Sequence, residues 1–422
     1  MLIEFSVENF LSFNERVTLS LVAAPEVDAT DGLIENTFEA PGGIRLLKST
    51  LIYGANASGK SNFIKAVKFV RWLVLDSAKD TQAGEPIKVT PFRLDPVAAE
   101  RESSFELIWM LNGSRYRYSV SVRSAGVAEE HLFRAPAGVD LEVALFRRDA
   151  SGIDVGDEFP EGRDVVTKTR ANALFLSVVA QFNGSESQKI IAWFREQLGI
   201  ASGLEDERLL GFTMHQLREG AWTQEILRLA READLGIVGI SAPEIGPEML
   251  PGNLREELRN LILSKEYGTL VVRRKMFDSV GRPTGEVEFK WGDESAGTQK
   301  FIALAGPLLD VLKSATTLLL DELDARLHPR LCRAIVRLFH EESNPNNAQL
   351  VAATHDTNLL DRQLLRRDQI WFTEKDARGA TKLYSLAEFD LPAEARYERD
   401  YLLGKYGAVP IIGELVNPED VK

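Results

Sequence analysis

The stretch TLIYGANASGKSNF, residues 50–63, carries the strongest pattern in the chain. Its residues 54–61 match G-x-x-x-x-G-K-[ST] at every fixed position. An apolar run precedes Gly54 as in a short buried strand, and apolar residues recur at helical spacing after Lys60. Glycines at such a turn let the backbone wrap around phosphate, where N–H groups and the helix N-terminus stabilise negative charge. The stretch therefore predicts a nucleotide-binding loop between a strand and a helix.

Two side chains of this loop have distinct expected roles. Lys60 can neutralise the β and γ phosphates of a nucleotide, and the Ser61 hydroxyl can bind Mg²⁺. A glycine- and serine-rich turn at the start of an ordinary helix is the alternative interpretation. The expected nucleotide-binding residues are Gly54, Ala55, Asn56, Ala57, Ser58, Gly59, Lys60, Ser61 and Asn62.

A pair of carboxylates follows a second apolar strand pattern, at residues 317–320. Asp321 can hold Mg²⁺ through water, and Glu322 can orient or deprotonate the attacking water. An acidic pair that merely begins a helix is the alternative, because carboxylates favour helix N-termini. The pair predicts a metal and catalytic site at the end of this strand.

Two further segments place polar groups that fit a phosphate site. Ser295 and Gly297 in ESAGTQ, residues 294–299, precede a predicted helix and can donate hydrogen bonds to a γ-phosphate. His355 follows the next apolar strand after Asp321, so it is expected at the same sheet edge, where it can sense the γ-phosphate. Four such segments in one order are harder to obtain by chance than any one of them.

Composition limits where such a site can act. The chain has 422 residues, 44% hydrophobic and 27% charged, which predicts a globular body with a large core. The single cysteine, Cys332, cannot form an intramolecular disulfide, and Glu4 and Glu8 interrupt the apolar run that a signal peptide needs. We therefore expect a cytoplasmic protein without membrane insertion. The net charge of −13 weakens binding to nucleic acids without excluding it.

Hydrophobic periodicity predicts an α/β chain with one helical insert. The predicted strands cover residues 2–7, 16–22, 51–53, 105–109, 116–122, 269–277, 286–291, 316–320 and 349–353, with a turn at Asn112-Gly113. Helices are predicted after Lys60, within 188–232, over 301–312 with a kink near Pro307, and over 330–339. The predicted parts are an N-terminal half of a head (1–135), a mostly helical insert (136–264), a C-terminal half of the head (265–390) and a tail (391–422).

The order of the four site segments resembles the ATP-binding-cassette class of ATPases, over residues 1–135 and 265–390. The resemblance implies an ATPase head with a mixed sheet and an antiparallel β subdomain, in which Lys60, Glu322 and His355 are catalytic. It implies that ATP and Mg²⁺ lie between two subunits, with a signature segment of one facing the phosphate loop of the other. That segment is Ser295, Ala296, Gly297 and Thr298, and Asp324 would belong to a loop that communicates between the paired sites.

Within this class, three segments are more specific. The start FSVENFLSF, residues 5–13, is similar to the N-F-x-S-F start of the RecF and SMC branch. The segments ESAGTQKF, LLLDELDARLHP and YLLGKYGAVPII are similar to compact AAA-type ATPases typified by the abortive-infection AbiL and RloA proteins. Those proteins are associated with bacterial defence against phage, commonly beside a second gene. The resemblance implies a homodimer or higher homo-oligomer that controls a co-encoded effector, such as a nuclease or toxin.

Some features depart from the class pattern. Ala296 stands where transporter cassettes usually carry glycine, and Thr298 stands where many have glutamine. Gln82 is a candidate for the glutamine loop of the class, with a solvated loop position as the alternative. No long heptads occur between the two halves, so a compact head without coiled-coil arms is expected.

Three other interpretations stay open. A RecF-like DNA-repair ATPase would need a basic groove, for which residues 273–275 and 366–367 are the candidates. A transporter cassette would need a membrane partner, which the N-F-x-S-F start and the long insert disfavour. A separate metal site would use Asp321, Glu322, Asp324 and His328.

Overall fold

The computed structural model describes residues 1–25, 33–243, 270–392 and 394–410. The chain folds into two compact units, and each unit consists of stretches that are separate in the sequence. The first unit comprises Met1–Ala201, Ala315–Glu322 and Val336–Lys422, and the second comprises Ser202–Ser314 and Leu323–Ile335. The predicted strand start at Thr269, residues 244–264 of the predicted insert and residues 411–422 of the predicted tail lie outside the described residues.

The strands lie as follows. They are β1 (Leu2–Glu8), β2 (Val17–Ser20), β3 (Thr37–Glu39), β4 (Arg45–Leu47), β5 (Ser49–Gly54), β6 (Ser103–Leu111), β7 (Ser114–Arg123), β8 (Gly126–Pro136), β9 (Val143–Asp149), β10 (Gly152–Val155), β11 (Leu198–Ser202), β12 (Ile237–Ser241), β13 (Val271–Phe277), β14 (Pro283–Lys290), β15 (Thr317–Asp321), β16 (Gln349–Ala353), β17 (Ile370–Lys375) and β18 (Thr381–Ser385). The α-helices are α1 (Lys60–Asp76), α2 (Phe175–Gln181), α3 (Ser185–Ala192), α4 (Asp206–Arg218), α5 (Thr223–Glu232), α6 (Ala296–Ser314), α7 (Pro329–His340) and α8 (Tyr397–Leu402).

The sheet that carries the phosphate loop has six strands in the order β11-β15-β16-β5-β17-β18. Strand β5 pairs in parallel with β16 on one side and with β17 on the other, and β16 pairs in parallel with β15. Every residue of β5 is buried, which fits its continuous apolar run rather than an alternating pattern. Because β15, β16 and β5 are parallel, their carboxyl ends meet at one edge of the sheet.

A second, seven-stranded antiparallel sheet has the order β10-β9-β8-β7-β6-β1-β2. The predicted turn joins β6 to β7, and both Asn112 (φ 50°) and Gly113 (φ 73°) have the positive φ that a tight hairpin requires. The core beneath this sheet includes Phe5, whose ring lies 5.3 Å from the ring of Phe63 in α1. This contact fixes the helix that follows the phosphate loop against the antiparallel sheet.

The antiparallel sheet continues beyond the predicted end of the N-terminal half at residue 135. Strand β9 pairs with β8 and β10 pairs with β9, so the sheet extends to Val155. Leu198, expected on a helix face, instead begins strand β11. The first unit runs to Ala201, and the second begins at Ser202. Local periodicity does not report which strand a segment pairs with, so it did not assign residues 143–155 to this sheet.

The second unit contains α4, α5, α6 and a three-stranded sheet in the order β12-β13-β14. Helix α6 begins at Ala296, five residues before the predicted start at residue 301, and Pro307 lies inside it. Proline has no N–H to donate to the carbonyl of Ala303, one turn earlier. The hydroxyl of Thr213 in α4 donates to that oxygen instead, at 2.8 Å. A side chain of the neighbouring helix thus replaces the missing hydrogen bond.

Candidate functional site

The phosphate loop connects the end of β5 to the start of α1. Gly54 has φ +154° and Gly59 has φ +122°. A Cβ atom on Gly54 would lie 2.4 Å from the carbonyl oxygen of Thr373, and one on Gly59 would lie 2.4 Å from Oγ1 of Thr381. Both positions therefore require glycine, for conformation and for space.

Residues of strands β17 and β18 form hydrogen bonds with the phosphate loop. Ser58 Oγ lies 2.6 Å from Thr373 Oγ1, and Thr381 Oγ1 lies 2.7 Å from the carbonyl oxygen of Ser58. Ser12 of the N-F-x-S-F start completes the support, because its Oγ lies 2.8 Å from Thr381 Oγ1 and accepts a hydrogen bond from Asn62 Nδ2 at 2.8 Å. The start motif thus has a structural role, which is to hold the loop and the first turn of α1.

The asparagine of the same motif organises the chain nearby. Asn9 is fully buried, and its Nδ2 lies 2.8 Å from the carbonyl oxygen of Ala98 and 3.0 Å from that of Arg101. Its Oδ1 accepts a hydrogen bond from the backbone N–H of Phe92, 3.1 Å away. Asn9 thereby satisfies backbone groups that would otherwise be buried without partners.

Lys60 and Ser61 lie where the sequence pattern predicts. The Lys60 side chain is buried, and its Nζ donates to the carbonyl oxygens of Gly54 and Ala55 at 2.8 and 3.2 Å. The Ser61 hydroxyl donates to Oδ1 of Asp321 at 3.1 Å. The two expected Mg²⁺ ligands are therefore neighbours, and hydroxyl and carboxylate oxygens are the donors that Mg²⁺ prefers.

Glu322 and His355 face the same cavity as the loop. The cavity has a volume of about 480 Å³. Glu322 follows β15 with φ +54°, and His355 is exposed and follows β16 after the buried Thr354. The lining residues are Asn56, Ala57, Ser58, Gly59, Lys60, Ser61, Asn62, Lys65, Asp321, Glu322, Ala353, Thr354 and His355. Parallel strand ends thus bring together residues that lie almost 300 positions apart.

A buried histidine supports β5 at the end opposite the loop. His340 Nε2 lies 2.7 Å from Ser49 Oγ, the first residue of the strand. Burial, together with the nearby cations Lys48 and Arg337, lowers the pKa of His340 to about 3. The imidazole is therefore neutral near pH 7 and serves the strand as a hydrogen-bonding partner.

The signature residues begin α6 in the second unit. Ser295 Oγ accepts a hydrogen bond from the backbone N–H of Thr298 at 3.2 Å and lies 2.9 Å from its Oγ1, as in an N-cap. A Cβ atom on Gly297 would lie 3.3 Å from the carbonyl oxygen of Arg326. The signature segment therefore lies against the loop of residues 323–328, which contains Asp324. None of Ser295, Ala296, Gly297, Thr298 and Asp324 is among the residues that line the cavity of the first unit.

An ion-pair network in the second unit was missed by sequence reasoning. Lys300 in α6 has a fully buried side chain, and its Nζ lies 2.8 Å from Oδ1 of Asp206. Oδ2 of the same carboxylate lies 2.8 Å from Nη1 of Arg326. Asp206 therefore joins the signature helix to the loop that contains Asp324. Its sequence signal was only that of an acidic residue at a helix start, which is common on protein surfaces.

The separate metal site and the position of Gln82 can be compared with the structure. Among the described residues, no group of three or more His, Cys, Asp or Glu side chains is arranged to hold a metal ion. Gln82 is exposed and does not line the cavity. None of the described helices is long and apolar enough to span a bilayer.

Three arginines of the candidate basic patches, Arg273, Arg274 and Arg366, are paired with carboxylates. Arg274 binds both oxygens of Glu294, at 3.0 and 2.6 Å. Arg273 Nη1 lies 3.0 Å from Glu286, and the buried Arg366 lies 2.8 Å from Asp368. Paired arginines have less charge to offer a phosphate backbone, so these contacts weaken the DNA-repair interpretation.

A parallel sheet whose central strand leads through this glycine loop into a helix, with carboxylates at the next strand end, defines a nucleotide-binding P-loop protein. The family model described as "AAA domain, putative AbiEii toxin, Type IV TA system" matches residues 49–361. This range is well over half of the chain, and the protein belongs to that family. The predicted α/β ATPase-head fold is thereby confirmed.

Solved structures of SMC heads are similar to this chain at low identity. The SMC head domain from Thermotoga maritima is 14% identical, with a TM-score of 0.42 over 92% of this chain and 99% of that one. An SMC head bound to the C-terminal winged-helix domain of ScpA is 13% identical, with a TM-score of 0.45 over 93% and 98%. A Pyrococcus furiosus SMC head with an extended coiled coil is 11% identical, with a TM-score of 0.38 over 96% and 99%. No curated protein matches the sequence.

Proposed function

We propose that this protein is an ATP-binding and ATP-hydrolysing switch in a bacterial anti-phage defence system of the abortive-infection type. The observation that carries the ATPase part is the convergence of Lys60, the Ser61–Asp321 pair, Glu322 and His355 on one cavity. These groups would supply a phosphate cradle, a metal site and a candidate base for one bound ligand. The reaction would convert ATP and water to ADP and phosphate.

Each side chain has a separate task in the proposed hydrolysis. The Lys60 ammonium, which now binds the loop carbonyls, would turn to the β and γ phosphates. Ser61 and Asp321 would hold Mg²⁺, whose charge offsets the negative charge that develops on the phosphoryl oxygens. Glu322 would accept a proton from the attacking water or orient it, and His355 would donate a hydrogen bond to the γ-phosphate. The chain thus supplies positioning and electrostatics rather than a covalent intermediate.

We propose further that the ATP site is completed by a second copy of the chain. Ser295 and Gly297 belong to the other compact unit and do not line the cavity that holds the phosphate loop. The N-terminus of the 19-residue helix α6 begins at these residues and would stabilise a γ-phosphate held by the partner. Homodimer formation would then depend on ATP.

The defence role rests on resemblance. The description of the matched family names a putative AbiEii toxin of type IV toxin–antitoxin systems. The more specific likeness to AbiL and RloA proteins stays a prediction, carried by ESAGTQKF, LLLDELDARLHP and the tail YLLGKYGAVPII. In this proposal, ATP-dependent dimer contacts control a co-encoded effector, and the toxic chemistry belongs to that effector.

The experiment that tests the ATPase part replaces Glu322 with glutamine. Glu322→Gln should retain ATP binding and lower phosphate release at least roughly a hundredfold, since only the water-activating group changes. The variant should also elute as an ATP-dependent dimer in light scattering. Hydrolysis at the wild-type rate would overturn the assignment of Glu322.

The defence role needs a separate experiment. Cells that carry the gene with its neighbouring gene should resist phage in plaque assays, and the resistance should be lost with Lys60→Ala. Affinity purification of the Glu322→Gln form, with and without infection, should recover the product of the neighbouring gene. Plaquing equal to that of empty cells across a phage panel would contradict the defence role but not the ATPase role. Binding to DNA that weakens with salt would instead favour a DNA-repair ATPase.

A further inference from the structure

The C-terminal residues 395–409, called here the tail segment, pack against the loop that follows His355. This loop, residues 355–360, is called here the histidine loop. The Thr357 hydroxyl donates to Oε1 of Glu398 at 2.9 Å, and the backbone N–H of Glu398 donates to the carbonyl oxygen of Leu360 at 3.1 Å. Glu398 is therefore hydrogen-bonded to the first residue of the short helical turn Thr357–Leu359 and to Leu360, which directly follows that turn.

Tyr401 connects the tail segment to the strand of the phosphate loop. Its ring is stacked on Phe372 of β17, with ring centres 5.5 Å apart, and lies 6.0 Å from the ring of Tyr53. Tyr53 directly precedes Gly54, and its hydroxyl donates to the carbonyl oxygen of Asp356 at 3.3 Å. The tail segment thus contacts the ring of Tyr53. The hydroxyl of this tyrosine links β5 to Asp356, the residue after His355.

The pattern YLLGKYGAVP gives this segment a fixed shape. The Tyr401 hydroxyl donates to the carbonyl oxygen of Ala408 at 3.1 Å, and the Tyr384 hydroxyl donates to that of Tyr406 at 2.8 Å. Gly407 has φ +68°, and a Cβ atom there would lie 2.8 Å from the Tyr384 hydroxyl. Tyrosines anchor the segment, and this glycine lets it turn beside β18. The residues of the tail motif therefore have a structural role, which is to hold the segment beside β17 and β18.

We propose that the tail segment positions His355 for ATP hydrolysis, with Glu398 and Tyr401 as positioning residues. His355 lines the cavity and begins the histidine loop, so a displacement of that loop would move the His355 side chain relative to a bound phosphate. Glu398 binds the side chain of Thr357 and the backbone carbonyl of Leu360, while Tyr401 packs on Tyr53. This inference rests on the proposed ATPase function, in which His355 contacts the γ-phosphate.

The test compares Glu398→Ala with Glu394→Ala. Glu394 is an exposed carboxylate just before the tail segment, so the matched control removes the same charge. Glu398→Ala should lower kcat about tenfold, the effect of one lost hydrogen bond on positioning, and change the Kd for ATP less than twofold. Glu394→Ala should match the wild type in both. Equal kcat values for the two variants would overturn the inference.

The His355→Ala background separates positioning from a general loss of stability. If Glu398 acts through His355, Glu398→Ala should cause no further loss of kcat in that background. The same tenfold loss in both backgrounds would contradict the inference. Hydrogen–deuterium exchange gives a readout that needs no turnover: amides of residues 356–360 should exchange faster in Glu398→Ala than in Glu394→Ala, and equal exchange would overturn the inference.

The same measurements distinguish the two proposals. A wild-type protein that binds ATP but releases no phosphate as a dimer would contradict the proposed function. Wild-type hydrolysis together with a normal kcat for Glu398→Ala would contradict only the role of the tail segment.

Discussion

The phosphate-loop unit and the signature unit organise their functional residues in different ways. In the first unit, the ends of parallel strands bring the loop, the Asp321–Glu322 pair and His355 to one cavity. In the second, a helix cap and the ion pairs of Asp206 hold Ser295 and its neighbours. Sheet topology thus fixes the first set, whereas a helix cap and ion pairs between side chains 94 and 120 positions apart fix the second.

Burial differs between the two sets as well. The hydroxyl contacts behind the phosphate loop, between Ser58, Thr373 and Thr381, are buried. In the signature unit, the Arg326 side chain is 62% exposed and that of Asp206 is 36% exposed. The Asp206–Arg326 pair is exposed, so it contributes little free energy and can rearrange when a partner binds, whereas the buried Lys300 holds Asp206 beside α6. The difference suits a site whose cradle is preformed and whose signature arrives from outside.

The largest effect is expected from breaking one half-site in each unit. Lys60→Ala should weaken ATP binding roughly a hundredfold, because a charge-assisted contact to phosphate is lost. Ser295→Arg should bind ATP normally and hydrolyse none as a homodimer. Mixing the two variants should restore hydrolysis at one of two sites, since one protomer retains its loop and the other its signature. Lys68→Ala, an exposed lysine of the same helix, serves as the control for charge loss. No recovery on mixing would argue against a shared site.

Two glycine-to-alanine substitutions should change the free energy of unfolding by different amounts in the two units. Gly59→Ala places a Cβ atom 2.4 Å from Thr381 Oγ1 at φ +122° and should lower the free energy of unfolding by about 2 kcal/mol or more. Gly211→Ala in α4 meets no atom within 4 Å and should be neutral or stabilising by up to about 1 kcal/mol. Urea unfolding monitored by circular dichroism measures both. A destabilised Gly211→Ala would contradict the proposed tolerance of the second unit.

The network of the second unit predicts a smaller effect. Asp206→Asn should lower the free energy of unfolding by about 1 to 3 kcal/mol, because the buried Lys300 loses its charged partner. Arg326→Ala should lower it by less than about 1 kcal/mol, since that side chain is largely exposed. Both variants should keep the wild-type affinity for ATP, measured by equilibrium binding. A loss of affinity in Asp206→Asn would place Asp206 in the cradle rather than in the signature unit.

The smallest predicted effect is a pH dependence that belongs to the first unit. His340 has a folded-state pKa of about 3 and an ordinary value of 6.5, so the unfolded chain binds more protons between these values. Stability from this group is therefore fully present above about pH 6.5 and is lost as the pH falls. Lowering the pH from 7.5 to 6 should cost slightly less than about 1 kcal/mol from His340 alone. Urea unfolding of His340→Gln, which does not titrate, should show a pH dependence smaller by that amount.

The sequence predicted the strand, loop and helix around Lys60 because fixed spacing and burial both act locally there. It also predicted that Asp321 and His355 share one sheet edge, since parallel strands leave little choice of geometry. It did not assign residues 143–155 to the antiparallel sheet, because they join it through hydrogen bonds that leave no local pattern. Asp206 and Glu398 were missed for a related reason. Each is an ordinary acidic residue whose role comes from a partner distant in sequence.

The position of β5 between β16 and β17 has a consequence for biosynthesis. Among the described residues, the strand that begins the phosphate loop pairs with residues 350–353 and 370–373, more than 290 positions later in the chain. At the usual rate of translation, the ribosome needs tens of seconds to supply them after β5 has emerged. A nascent or truncated chain that ends before residue 349 carries the complete glycine motif but lacks both sheet neighbours. We therefore expect a chain that ends before residue 349 to bind nucleotide far more weakly than the full chain.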